Sequence, residues 1–217
     1  MRFRRAEAAA LCAASLLFLI SFYAYPNLPD QVASHWNVRG EADMYLPKFW
    51  GAFLLPMASV PLTLLLIAIP RIDPLKANIE AFRRYYDAFI ALFSAFLLAV
   101  HAHVILWNLG VRVNPLTLYP ILIGILFFYI GVLCENSKRN WFIGIRTPWT
   151  LSSDRVWEKT HKIGGKLFKA SGIMMLLCPL LPPELFPAIV LFIALLTAAY
   201  TVTFSYFEYQ KEAKAGK

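Results

Sequence analysis

The chain has 217 residues, 59% of them hydrophobic and 16% charged, with mean hydropathy +0.57 and a net charge of +8. Soluble domains carry about 25% charged residues. Here the apolar residues come in long blocks and the basic residues sit in the gaps between them, which argues against a soluble enzyme domain and against direct nucleic-acid binding. The cysteines Cys12, Cys134 and Cys178 are isolated in or beside apolar blocks, so they signal neither a disulfide framework nor a zinc site.

A membrane-spanning helix needs about 20 apolar residues. Ala8–Tyr25 supplies the first block; it ends at Tyr25-Pro26 without a small-x-small cleavage site and reads as a retained helix. Trp50–Ile69 is the second, with Pro56 and Pro61 predicting a kink. Ala88–Trp107 and Leu116–Cys134 follow. The fifth is short: only Ala170–Leu181 is free of charge, so it crosses only if it starts near Ile163 with Lys166 and Lys169 snorkelling, the alternative being a re-entrant loop. After the turn Leu181–Glu184 comes the sixth block, Leu185–Phe207. Six crossings with both termini in the cytoplasm leave only Arg39, Lys48 and Arg112 of the 21 lysines and arginines outside, as the positive-inside rule demands. The expected fold is all-α: one multi-pass domain in the cell membrane. Its parts are the first two spans with their outer loop (1–69), spans three and four (70–134), and an inner loop with spans five and six (135–217).

Two loops exceed what a minimal bundle needs. The outer one, Leu28 to Lys48, contains Asn37-Val38-Arg39-Gly40, a tight turn by its first and last residues. That turn folds His35 back towards Glu41 and Asp43. One histidine and two carboxylates have the donors for a divalent cation or for an imidazolium–carboxylate pair; a plain loop lid, with Trp36 and Tyr45 at the interface, explains the same residues. The expectation is that His35, Asn37 and Asp43 form one polar site, with Gly40, Glu41 and Lys48 around it, and that no cofactor other than such a cation is called for.

The inner loop runs from Glu135 to about Lys162 and includes Asn140-Trp141-Phe142-Ile143-Gly144-Ile145-Arg146-Thr147-Pro148-Trp149-Thr150. Pro148 disfavours helix through Thr147, and Ser152-Ser153-Asp154 is a helix start signal. Val156, Trp157, Thr160, Ile163 and Leu167 then recur at helical spacing, predicting an interfacial helix that bends into the fifth span at Gly164-Gly165. Trp157 and His161, four apart, share a face. Arg146 is expected to grip carboxylates or headgroups. His101 and His103, two apart near the outer end of the third span, face different directions.

Together the loops are informative. The segment Leu28-Pro29, His35-Trp36-Asn37, Gly40-Glu41-Ala42-Asp43 and Lys48 resembles the N-terminal domain of unknown function that accompanies the SdpI family. Asn140 to Thr150 with Trp157, Thr160 and His161 resembles that family's own signature. A proline expected just before the histidine is absent, Val32-Ala33-Ser34 standing there instead. The resemblance implies a six-span membrane protein. For the family's best-known member it implies immunity to a secreted sporulation-delaying peptide toxin and retention of a cytoplasmic transcriptional repressor at the membrane. On that reading Asn140, Gly144, Arg146, Thr147, Trp149, Trp157 and His161 form an inner functional loop, and the protein is not an enzyme. A membrane-embedded enzyme or a transporter for a lipid-soluble substrate is the alternative. No nucleophile–base motif is present, however, and the spans carry almost no charge to line a path.

Overall fold

The structure, a computed structural model, describes residues 4–215; Arg2 and Lys217, counted above among the inner charges, lie outside them. In chain order the elements are α1 (Arg5–Ala24), a 3-10 turn (Tyr25–Asn27), β1 (Gln31–Trp36), β2 (Ala42–Pro47), α2 (Lys48–Ile72), α3 (Lys76–Ala81) and α4 (Arg83–Asn108). Then come α5 (Pro115–Asn136), α6 (Pro148–Ser152), α7 (Asp154–Leu177), a second 3-10 turn (Cys178–Leu180) and α8 (Leu185–Ala215). The segments built on α1, α2, α4, α5, α7 and α8 are each long and apolar enough to cross a bilayer. The protein is a multi-pass membrane protein with an all-α spanning bundle.

Within the bundle α1 packs on α2 and α4, while α5 packs on α7, which in turn carries α8. The α5–α7 contact is set by glycine. Gly124 and Gly131 stand two turns apart on one face of α5, and Gly165 and Gly172 do the same on α7. A Cβ at Gly131 would lie 2.5 Å from the Gly165 carbonyl oxygen, and one at Gly172 2.6 Å from that of Gly124. With only hydrogens between them the two backbones approach closely, the usual way helices associate in lipid. Two apolar cores cap the ends of the bundle. One gathers Ala10, Ile69, Ile79, Phe82, Tyr86, Ile90, Leu133 and Ile143; the other gathers Ala24, Leu28, Val32, Ala52, Phe53 and Ile105.

Two features differ from the sequence reading. The segment read as an open loop is a β-hairpin, with Gln31 paired to Pro47, Ala33 to Tyr45 and Trp36 to Ala42. Register breaks beside His35 leave Ser34 and Asp43 outside the pairing, and Val32 and Ala33 are buried in succession, so the strand lacks the alternation that announces a β-strand. Both burials have a cause. Val32 packs where Gly51 of α2 leaves room for it, and Ala33 is clasped by Asn108, whose side chain accepts the Ala33 N–H (2.8 Å) and donates to its carbonyl (3.0 Å). Second, the interfacial helix and the fifth span are one unbroken helix of 24 residues, about 36 Å at 1.5 Å per residue, which suffices for a full crossing. Gly164 and Gly165 are contact points against Ile145, Gly131 and Glu135. The second span agrees with the reading, α2 running as one helix with Pro56, Pro61 and Pro70 inside it.

Candidate functional site

The outer hairpin turns at Asn37–Gly40, where the Gly40 N–H donates to the Asn37 carbonyl (2.9 Å) and Gly40 takes φ +75°, the left-handed region that suits glycine. The register break aims His35 at Asp43: Nδ1–H donates to Oδ1 at 2.6 Å. Glu41 turns the other way and accepts from Asn37 Nδ2 (3.1 Å) and Arg39 Nε (3.2 Å). The hydrogen bond from Asn37 and the charge of Arg39 hold the Glu41 carboxyl below the usual carboxylate range. Two separate polar pairs therefore replace the single expected cluster, and among the described residues no three metal-ligating side chains converge. Lys48 is also apart, its ammonium lying 5.0 Å from the centre of the Tyr25 ring. His35, Asn37 and Asp43 nevertheless share one cavity of about 410 Å³, walled by Trp36, Val38, Pro115, Leu116, Tyr119 and the first residues of α8, Phe186 and Pro187.

Beneath that cavity lies an aromatic layer: the Trp36 ring sits 4.6 Å from His103, 5.3 Å from Trp107 and 6.1 Å from Tyr119. His103 Nε2–H donates to the Val113 carbonyl (3.0 Å) and Nδ1 meets the Tyr119 hydroxyl (2.9 Å), so the ring is fixed from both sides. His101 faces elsewhere, onto Ser21 of α1 at 2.9 Å. The Trp36 indole N–H, enclosed above this layer, has no acceptor among the described residues.

At the opposite end, the inner loop is knitted by its own side chains. Asn140, fully buried, donates to the carbonyls of Lys138 and Ile143 (both 2.8 Å) and accepts the N–H groups of Phe142 (3.0 Å) and Ile143 (2.6 Å). Gly144 has φ +118°, and a Cβ there would collide with His161. His161 stacks on Trp157 at 3.9 Å; its Nδ1–H donates to the Trp157 carbonyl (2.9 Å) and its Nε2 accepts the Ile145 N–H (2.8 Å). The Trp157 indole donates to the Ser137 carbonyl (3.2 Å). Thr147 caps α6, pairs with Thr150, and meets Ser205 of α8 at 3.0 Å, while Trp149 packs edge-on against Tyr206. Ser153 caps α7, as its sequence context predicts, and donates to Glu212 (2.6 Å). Arg146 is exposed and donates to the main-chain carbonyl of Trp141 (2.7 Å), with no carboxylate among its partners in the described residues, which leaves headgroups as the other expected partner.

With both ends described, comparison with known proteins becomes informative. Residues 12–60, taking in most of α1, the hairpin and the start of α2, match a domain of unknown function (DUF1648). Residues 136–206 match the SdpI/YfhL protein family. The resemblance read from the two loops is thereby borne out. The immunity protein SdpI of Bacillus subtilis (strain 168) is 25% identical over 198 residues, spanning 90% of this chain and 92% of that protein. No solved structure matches the chain. Within the SdpI/YfhL stretch, Asn140, Gly144, Thr147, Trp157 and His161 hold the loop's shape by the contacts just given, Trp149 seats it against α8, and Trp141, Phe142 and Arg146 are what it presents.

One group of residues outside both matched stretches was not singled out from the sequence. Glu7, with no exposure, is gripped by Arg71 (2.7 and 2.8 Å) and by Arg83 (2.6 Å); Arg83 also reaches Asp87 (2.7 Å) and Glu80 (3.2 Å). Arg4 closes the network on Glu80 (2.9 Å) and Asp87 (3.2 Å). This lattice ties α1, α2, α3 and α4 together at the end that carries the SdpI/YfhL loop. Asp73, 2% exposed, connects the two by accepting the Trp141 N–H (2.8 Å) and the Leu75 N–H (2.6 Å). The only sequence signal was one acid, Glu7, placed ahead of an otherwise uncharged span.

Proposed function

We propose that the protein is a non-enzymatic, immunity-type membrane protein, with both termini in the cytoplasm, that captures an extracellular amphipathic peptide at the hairpin. The observation that carries this reading is the outer cavity: apolar walls for a hydrophobic side chain and a His35–Asp43 pair at its rim, polar groups that the charged or amide atoms of a peptide can meet. The name of the Bacillus subtilis relative supports the immunity class. On this reading occupancy of the cavity is relayed to the inner loop, which requires two states with different affinity for the peptide.

Because His35 and Asp43 are 59% and 42% exposed, their pair contributes about 0–1 kcal/mol to stability. His35→Ala and Asp43→Ala are therefore expected to insert and fold as the parent does. In a toxin-sensitive Bacillus subtilis strain lacking its own immunity protein, each variant should lose about tenfold in protection, the worth of one charge-assisted contact. Full protection by both at equal membrane levels would remove the cavity from the mechanism.

The orientation is tested separately. Cysteine introduced as Arg39→Cys at the hairpin tip, with Cys12, Cys134 and Cys178 replaced by serine, should react in intact cells with a membrane-impermeant maleimide. Lys214→Cys should react only after permeabilisation. The reverse pattern would invert the topology and put the hairpin in the cytoplasm.

A further inference from the structure

The end of the bundle that carries the N-terminus and the SdpI/YfhL loop also holds a shallow cleft of about 750 Å³ between the start of α1 and α4, walled by Arg4, Arg5, Ala6, Arg84, Asp87, Ala88 and Ala91. Its charges divide into two kinds. Arg4 is committed to Glu80 and Asp87, and both oxygens of Asp87 are taken, one by Arg83 and one by Arg4. Among the described residues Arg5 and Arg84 pair with no carboxylate. Arg84 is held in place by Tyr85: its guanidinium stacks 4.5 Å above the ring and also donates to the hydroxyl. The cleft therefore offers two uncompensated forks beside a neutralised acid. Below them on α4, Ala88 and Ala91 are exposed and form a smooth wall that runs into the span.

We propose that this cleft binds one anionic glycerophospholipid of the inner leaflet. The headgroup phosphate sits between Arg5 and Arg84, and an acyl chain runs along Ala88 and Ala91. Arginine suits the task because its planar fork engages two phosphate oxygens at once. Basic clefts between spanning helices at the cytoplasmic surface hold anionic headgroups for the same reason. The small alanine side chains leave room for a chain that larger residues would displace. The inner-leaflet placement rests on the proposed orientation, whose cysteine-labelling test is separate; the site does not depend on peptide capture, since it lies at the other end of the molecule from the hairpin.

The test uses the full chain purified in neutral detergent, titrated with phosphatidylglycerol or phosphatidylcholine, and scored by native mass spectrometry for retained lipid. Phosphatidylglycerol should be retained at least about tenfold better, given that each surface arginine adds roughly fivefold attraction to an anionic lipid. The double variant Arg5→Gln/Arg84→Gln should bring it down to the phosphatidylcholine level, and Arg112→Gln at the far end should leave it unchanged. Ala88→Leu/Ala91→Leu, which keeps both arginines and fills the wall, should also lower retention. Equal retention of the two lipids by the parent, or undiminished phosphatidylglycerol in both double variants, would overturn the proposal. Displacement of the lipid by millimolar inorganic phosphate would assign the arginines to a free anion instead.

Discussion

Glu7→Ala is expected to cost about 3–5 kcal/mol of bundle stability, the range for removing one partner from a buried ion pair. The reason lies with what is left behind. The Arg83 side chain is 6% exposed and relies on Glu7 for its deepest contact at 2.6 Å; Asp87 and Glu80 satisfy its other nitrogens. Arg71, at 25% exposure, loses both of its acidic contacts together. Two guanidinium groups would then face each other across a cavity with no anion between them. Glu80→Ala removes contacts at a side chain that is half exposed and should cost under about 1 kcal/mol. Unfolding in mixed micelles, with Arg83→Ala included to complete a double-mutant cycle, separates the two. If Glu7→Ala and Glu80→Ala unfold alike, the buried lattice contributes no more than a surface pair.

Gly131→Leu should have a comparable effect by a different route. The obstacle to the new side chain is the Gly165 main-chain carbonyl at 2.5 Å, with the Lys169 N–H at 2.8 Å beyond it. A flexible side chain could move aside, but backbone cannot, so α5 and α7 would separate and lose the Gly124–Gly172 contact as well. Overpacking costs about 1–3 kcal/mol in cores that can adjust, and this site should lie at or above the upper end. Gly110→Ala is the matched control: it has φ +96° but open space around it, so only the backbone penalty of about 1 kcal/mol applies. Both proteins should still insert, because each substitution makes its segment more apolar. A Gly131→Leu protein that unfolds no more easily than Gly110→Ala would mean the helix pair tolerates being prised apart.

Hydropathy is a local property, so the number of spans and their approximate limits were legible in the chain, including a fifth that its lysines partly disguise. The Asn37–Gly40 turn and the Ser153 cap were legible for the same reason, each depending on residues within four positions. Long-range partnerships were not. Glu7 meets arginines 64 and 76 residues away, and a lone acid near an arginine-rich end looks like a headgroup-level residue. The close approach at Gly165 was hidden too, because it depends on Gly131, on another helix. The hairpin was hidden because its register breaks and the clasp of Asn108 override the alternation that a free strand would show. At the candidate sites the residues around His35 and His161 were identifiable by type, whereas the separation of Glu41 from Asp43 follows from strand register, which only the fold defines.

The clasp of Asn108 on Ala33 has a mechanical consequence. Asn108 is the last residue of α4, and Arg83, at the heart of the ionic lattice, is the first. From one to the other, both included, α4 counts 26 residues, roughly 39 Å, without a proline or a glycine. The other helices of the first half cannot offer the same stiffness: α2 carries three prolines, and α1 gives way to a 3-10 turn before the hairpin. A sideways load on the hairpin thus has a single rigid strut to push against, and that strut is bolted at its far end into the charges that also seat α1 and α2.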